Sequence, residues 1–215
     1  AALGAGLKSN RPVGTMVVDI GGGTTDIAVI TMGCISVSHS IKVAGNVLNE
    51  AIVRQIRRER DVIIGEKTAE YIKKQIGYSY LRDVELGMTV KGKHFITNLP
   101  VSIEVSSTEA YLAMRPHLET IGEAVRSVLE LTPPELSADI FESGIRLTGG
   151  GALLRGIDQM IQKKTGVKTI IADEPLNCVA LGTGEALSHI DILSQNGYVF
   201  KARDEIGGLT PELTE

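Results

Sequence analysis

"MVVDIGGGTTDIAVI", Met16–Ile30, is the stretch on which the reading of this chain turns. Two runs rich in Val and Ile flank three glycines, two threonines and two aspartates. The simplest interpretation is a glycine hairpin loop, since glycine adopts positive φ at no steric cost. A tight hairpin needs only about two loop residues. "DIGGGTTD" offers more: the N–H groups of Gly21, Gly22 and Gly23 without side chains over them, the hydroxyls of Thr24 and Thr25, and a strand-end carboxylate, Asp19. Successive exposed N–H dipoles form a concave anion site, and a nearby carboxylate can hold the hydration shell of Mg²⁺. Both readings stand on this stretch alone.

Outward from the turn, Val13 to Ile20, Asp26 to Met32 and Ile35 to Val43 read as consecutive antiparallel strands, a three-stranded meander. From Gly45 the period changes: Val47, Leu48, Ala51, Ile52 and Ile56 fall at helical spacing. A helix is predicted over Glu66 to Ile76, followed by short strands near Met88 to Val90, His94 to Thr97 and Val101 to Val105. "SSTE" at Ser106–Glu109 fits a capping box for a helix that Pro116 should kink or interrupt. "TPPEL" predicts another helix, with Thr132 as N-cap, Pro133 in its first turn, Glu135 completing a second box and Gly144 ending it.

A second glycine motif, "LTGGGALLRG" over Leu147–Gly156, again follows an apolar strand and is read as opening a helix, whose N-terminus favours negative charge. Close strand-to-helix packing is its simpler explanation. "VKTIIA" reads as a strand, and "PLNCVALGTGEALSHIDIL" as a helix entered through Pro175. Neither glycine motif matches the P-loop or the dinucleotide fingerprint.

Composition bounds the function. The 215 residues are 43% hydrophobic and 22% charged, with a net charge of -4, so no global field favours nucleic acid or anionic lipid. No run of about 18 apolar residues occurs, and "AALGAGLKSNRP" lacks the pattern of a signal peptide, so a cytoplasmic location is the default. That opening reads as the end of a helix broken by Gly4, Gly6 and Pro12, so a preceding segment is expected. Cys34 and Cys178 read as buried free thiols. His39, His94, His117 and His189 are scattered and read as surface or core filler, and Tyr78 with Tyr80 as a small exposed patch.

These motifs resemble the actin-like ATPase superfamily and, within it, the bacterial rod-shape-determining MreB/Mbl proteins. "VVDIGGGTTDIAVI" is similar to the second phosphate loop, "IGEKTAEYIK" to the helix bordering the adenosine, "TPPELSADI" to a segment characteristic of MreB, and "LTGGGALLRG" to the adenosine motif. The resemblance implies ATP or ADP with Mg²⁺ as ligands. Gly22, Gly23 and Thr24 would contact the β- and γ-phosphates, and Asp19 would serve the Mg²⁺ and its water network as the catalytic carboxylate. Glu70 and Lys73 would flank ribose and adenine, and Thr148 with Gly149, Gly150 and Gly151 would close over the base. On residue types alone, Glu70 and Lys73 are equally a solvated intrahelical ion pair.

The implied fold is α/β: a ribonuclease-H-like mixed sheet with helices on both faces over 1–60 and 106–193. A small α+β subdomain is inserted at 61–105, and a polar acidic tail occupies 194–215. The implied role of the complete protein is a cytoplasmic, membrane-associated filament that sets rod shape through cell-wall and morphogenesis partners. Weak ATP hydrolysis would be coupled to its polymerisation. Only the second half of such a protein is recognisable; the first half, with membrane contact and a catalytic Glu, has no counterpart, and half a cleft should hydrolyse ATP very poorly. A sugar kinase or chaperone ATPase of the same superfamily, or a truncated filament-binding module, are the alternatives. One departure stands out: where the family's pattern is AGDEMDE, Ala44–Glu50 reads "AGNVLNE".

Overall fold

A computed structural model describes residues 1–7 and 12–188; His189, the end of the final helix and the 194–215 tail lie outside the described residues. The meander forms as its patterning predicts: β1 (Thr15–Ile20), β2 (Thr25–Thr31) and β3 (Cys34–Ile41) pair antiparallel in sequence order. β7 (Ile145–Thr148) then adds parallel to β1, and β8 (Thr169–Ile171) parallel to β7, giving a mixed sheet in the order β3-β2-β1-β7-β8. As the central strand β1 is covered on both faces: Met16, Val18 and Ile20 enter the core, and Val17 on the other face is also buried. β3, at the edge, is largely exposed.

α1 (Gly45–Arg60) buries Leu48, Ala51, Ile52 and Ile56 and gathers Arg57, Arg58 and Arg60 in its last turn, where cations suit the helix dipole. α2 (Glu66–Ile76) buries Ala69, Ile72 and Ile76. A second sheet, β4 (Val62–Ile63), β5 (Gly87–His94) and β6 (Pro100–Ser106), stands beside it. The apolar core is nevertheless continuous, running from Met16 and Ile27 through Ile52 and Met114 to Ile72, Val90 and Val105. The strand expected at His94 to Thr97 is instead the end of β5 and its turn, where His94 Nδ1 accepts the N–H groups of Ile96 and Thr97.

α3 (Ser107–Glu130) starts on the predicted capping box: Ser106 Oγ accepts from Glu109 N–H, and Glu109 accepts from Ser106 N–H. The expected interruption at Pro116 does not occur. Proline costs about 3 kcal/mol in a helix interior, and burial of Met114, Leu118, Ile121, Val125 and Val128 along one face outweighs it. The predicted second box is also absent. Thr132 donates its hydroxyl to Val128 O (2.7 Å), finishing α3, and Pro133 is the N-cap of α4 (Pro134–Ser143) without a side-chain cap bond. Gly144 does end α4, at φ 82°.

The second glycine motif departs from expectation in one respect. Its glycines open a short 3₁₀ turn, Gly150–Leu153, and α5 (Ile157–Thr165) begins only after Gly156. The helix-dipole argument therefore does not apply at Gly149–Gly151. α6 (Cys178–Ser188) crosses the N-terminal segment at Gly4, where an added Cβ would lie 1.8 Å from Cys178 O. Cys178 is buried, but Cys34 is exposed at the β2–β3 turn, which corrects the reading of both thiols as buried.

One buried group lacks a partner. Asn49 is 4% exposed, yet its Oδ1 accepts no hydrogen bond. Replacing it by the near-isosteric leucine removes that desolvation cost, so Asn49→Leu is expected to raise stability by about 1 kcal/mol, read as a higher urea midpoint with unchanged slope.

Candidate phosphate site

β1 and β7 run parallel, with Asp19 opposite Thr148, so the two glycine turns leave the sheet side by side at the carboxyl ends of neighbouring strands. Open α/β sheets bind ligands in that crevice. Thr148 Oγ1 donates to Asp19 Oδ1 (3.0 Å), fixing the carboxylate at the mouth of both turns. Its Oδ2 makes no hydrogen bond within the described residues. A single carboxylate so placed fits Mg²⁺ held through water and phosphate oxygens, since that ion keeps several waters. No group of three or more His, Cys, Asp or Glu side chains with metal-binding geometry exists among the described residues.

The first turn divides its groups between structure and solvent. Gly21 N–H donates to Thr24 O, and the carbonyls of Gly21 and Gly22 accept from Gly45 and Asn46 N–H at the start of α1. Thr25 is fully buried and donates its hydroxyl to Val43 O (2.7 Å). Gly21 N–H and the Thr25 hydroxyl are thus consumed internally, correcting their assignment as ligand donors. What remains is a row of three: the N–H groups of Gly22, Gly23 and Thr24 take part in no hydrogen bond among the described residues. Thr24 Oγ1 donates to Asp26 Oδ2 (2.8 Å) and Ser40 Oγ to Asp26 Oδ1, steadying the far side of the turn.

Nothing internal demands glycine at these positions. Neither Gly22 nor Gly23 has positive φ. A Cβ on Gly23 would meet no atom within 4 Å, and one on Gly22 only the Asn46 side chain, at 3.3 Å. Space is kept over three free donors, the arrangement of an anion nest.

The second turn is the opposite case. Gly149 has φ 80°, and a Cβ there would lie 2.4 Å from Ile20 O and 2.6 Å from Asp19 Oδ1; one on Gly151 would lie 2.2 Å from Ile20 Cγ2. Gly149 N–H donates to Pro175 O (2.8 Å). Packing accounts for Gly149 and Gly151, while Gly150 faces Leu176.

α2 meets this site through Lys73, whose Nζ donates to Gly45 O (2.8 Å), next to Gly22. Burial holds the Lys73 ammonium below the usual lysine range. Glu70 does not pair with it. Its carboxylate bonds Lys74 at 2.6 Å on the exposed side of α2, and that contact lowers its pKa.

Arg155 is a contributor that the sequence did not reveal. Its guanidinium donates to Lys74 O and Gln75 O (3.0 and 2.8 Å), capping α2, and lies over the Tyr78 ring, which Arg82 covers too. Tyr78 is therefore half-buried scaffolding, in edge contact with Tyr80. Through Arg155 the second glycine motif is tied to the helix bearing Lys73. Arg155→Ala is expected to cost about 1–2 kcal/mol, measured by chemical denaturation, because two helix-end carbonyls lose a charged donor.

A family profile described as MreB/Mbl protein matches residues 1–195. The cell shape-determining protein Mbl of Bacillus subtilis is 46% identical over 193 residues, covering 90% of this chain and 58% of that protein. For cell shape-determining protein MreB of Escherichia coli the figures are 44% identity, 89% and 55%. The chain thus spans little more than half the length of these relatives. Among solved structures, MreB5 of Spiroplasma citri bound to ADP superposes with a TM-score of 0.85 at 42% identity, covering 91% of this chain and 60% of that one. The same protein bound to AMPPNP gives 0.84. By profile, identity and fold together, this chain belongs to the MreB/Mbl family of actin-like proteins.

Proposed function

We propose that this chain supplies the phosphate-holding side of an adenine-nucleotide cleft in an actin-like filament protein, one that helps set rod shape by organising cell-wall synthesis. The observation that carries the reading is the Gly22–Thr24 row of free N–H groups, kept open by glycines that neither φ nor packing requires. ADP and AMPPNP in the MreB5 structures support adenine nucleotide as the ligand. Gly22, Gly23 and Thr24 hold the terminal phosphates, Asp19 orients hydrated Mg²⁺, and Lys73 adds a cation toward the ribose side. The packed turn at Thr148–Gly151 closes the base side.

Family membership displaces the sugar-kinase and chaperone alternatives. Self-association into filaments, cell-wall and morphogenesis partners, and membrane contact through the portion of the relatives not spanned here belong to the same proposal. Leu176, Val179, Leu181 and Leu187 are exposed around the start and along α6. No described helix is long and apolar enough to cross a membrane.

The experiment is thermal unfolding of the chain in increasing ADP with Mg²⁺. A ligand at 100 times its Kd adds about 2.7 kcal/mol, so the midpoint should climb steadily with ADP and not with adenosine. A midpoint indifferent to ADP at millimolar concentration would refute the reading.

A further inference from the structure

The departure AGNVLNE places Asn46 at the second residue of α1, against the phosphate turn. Its N–H donates to Gly22 O (2.8 Å), and its side-chain Oδ1 and Nδ2 stand 3.3 and 3.7 Å from where a Gly22 Cβ would be. The carboxamide is exposed and makes no hydrogen bond within the described residues, although Gly22, Gly23 and Thr24 present their free N–H groups beside it. α1 has no acidic residue in its first turn. A side-chain amide can turn its NH₂ toward an anion; a carboxylate in the same place can only repel one.

We infer that Asn46 is a nucleotide-positioning residue whose Nδ2 donates to the phosphate chain held by the Gly22–Thr24 turn. The inference rests on the nucleotide reading above and extends the site from backbone donors to a side chain. It also makes the site of this chain less dependent on a divalent cation than the same turn with a carboxylate at position 46, because no fixed negative charge adjoins the phosphates there.

Asn46→Asp and Asn46→Ala together separate this role from a structural one, because the two readings agree on stability and differ in binding. An acidic residue in the first turn of a helix favours the helix, so a purely structural Asn46 would give a variant of equal or higher thermal midpoint with unchanged ligand binding. A phosphate contact gives that same midpoint together with weakened binding. The experiment is calorimetric titration of wild type, Asn46→Asp and Asn46→Ala with ADP, each in Mg²⁺ and in EDTA.

The expected result is a Kd raised about tenfold by Asn46→Asp in EDTA, largely recovered in Mg²⁺, and raised about three- to fivefold by Asn46→Ala in both, the range for loss of one solvent-exposed hydrogen bond. Equal affinities for all three proteins would overturn the role of Asn46 while leaving the glycine turn intact. Wild type that binds no ADP would overturn the nucleotide reading itself, and this inference with it.

Discussion

Gly149→Ala is expected to destabilise the chain by about 3–5 kcal/mol, the largest effect of any single methyl group at the site. Its backbone, at φ 80° and ψ 170°, lies in a region that is essentially reserved for glycine and costs about 1–3 kcal/mol to impose on another residue. The new Cβ would also lie 2.4 Å from Ile20 O, a backbone atom in the central strand that has no room to retreat. Moving Ile20 would in turn shift Asp19 and break its bond from Thr148. Urea unfolding should show a lower midpoint, and the soluble fraction on expression should fall. A variant as stable as wild type would mean that the turn relaxes freely and is not fixed by packing.

Gly23→Val should do the reverse. φ there is not left-handed and no atom stands within 4 Å of the added Cβ. Stability should hold within about 0.5 kcal/mol, the range for unencumbered surface positions. Nucleotide binding, however, should fall at least tenfold, because the isopropyl group occupies the space above the free N–H row that a phosphate must enter. The two glycine motifs look alike in sequence and are opposite in kind: one is demanded by the protein's own packing, the other by what approaches it. Stability measured beside ADP affinity for both variants tests that contrast, and a Gly23→Val protein with full affinity would place the phosphate elsewhere.

Much of the fold was legible because local signals and tertiary demands agree. The alternation in β2, the boundaries Glu66 and Ile76 of α2, and the Ser106–Glu109 box each follow from residue type at fixed spacing. The failures arise where long-range contacts decide. Thr132 caps no N–H of α4; its hydroxyl is buried and donates to Val128 O at the end of α3, a contact that the TPPEL motif does not announce. Pro116 is tolerated because the helix around it is already pinned to the core. In the site, the sequence located the turn but could not assign individual donors. Gly21 N–H is indistinguishable by type from Gly23 N–H until Thr24 O takes it, and neither threonine hydroxyl shows in the sequence that Val43 O and Asp26 engage it. The grip of Arg155 on α2 spans about eighty positions and leaves no periodic trace.

The central claim is that the Gly22–Thr24 turn holds the phosphates of an adenine nucleotide. Its most direct test is isothermal titration of the folded chain with ADP and Mg²⁺, wild type beside Gly23→Val. The account predicts saturable, one-to-one binding by wild type that is lost in a variant of unchanged thermal midpoint. Equal binding by both proteins, or none by either at millimolar ADP, would contradict it.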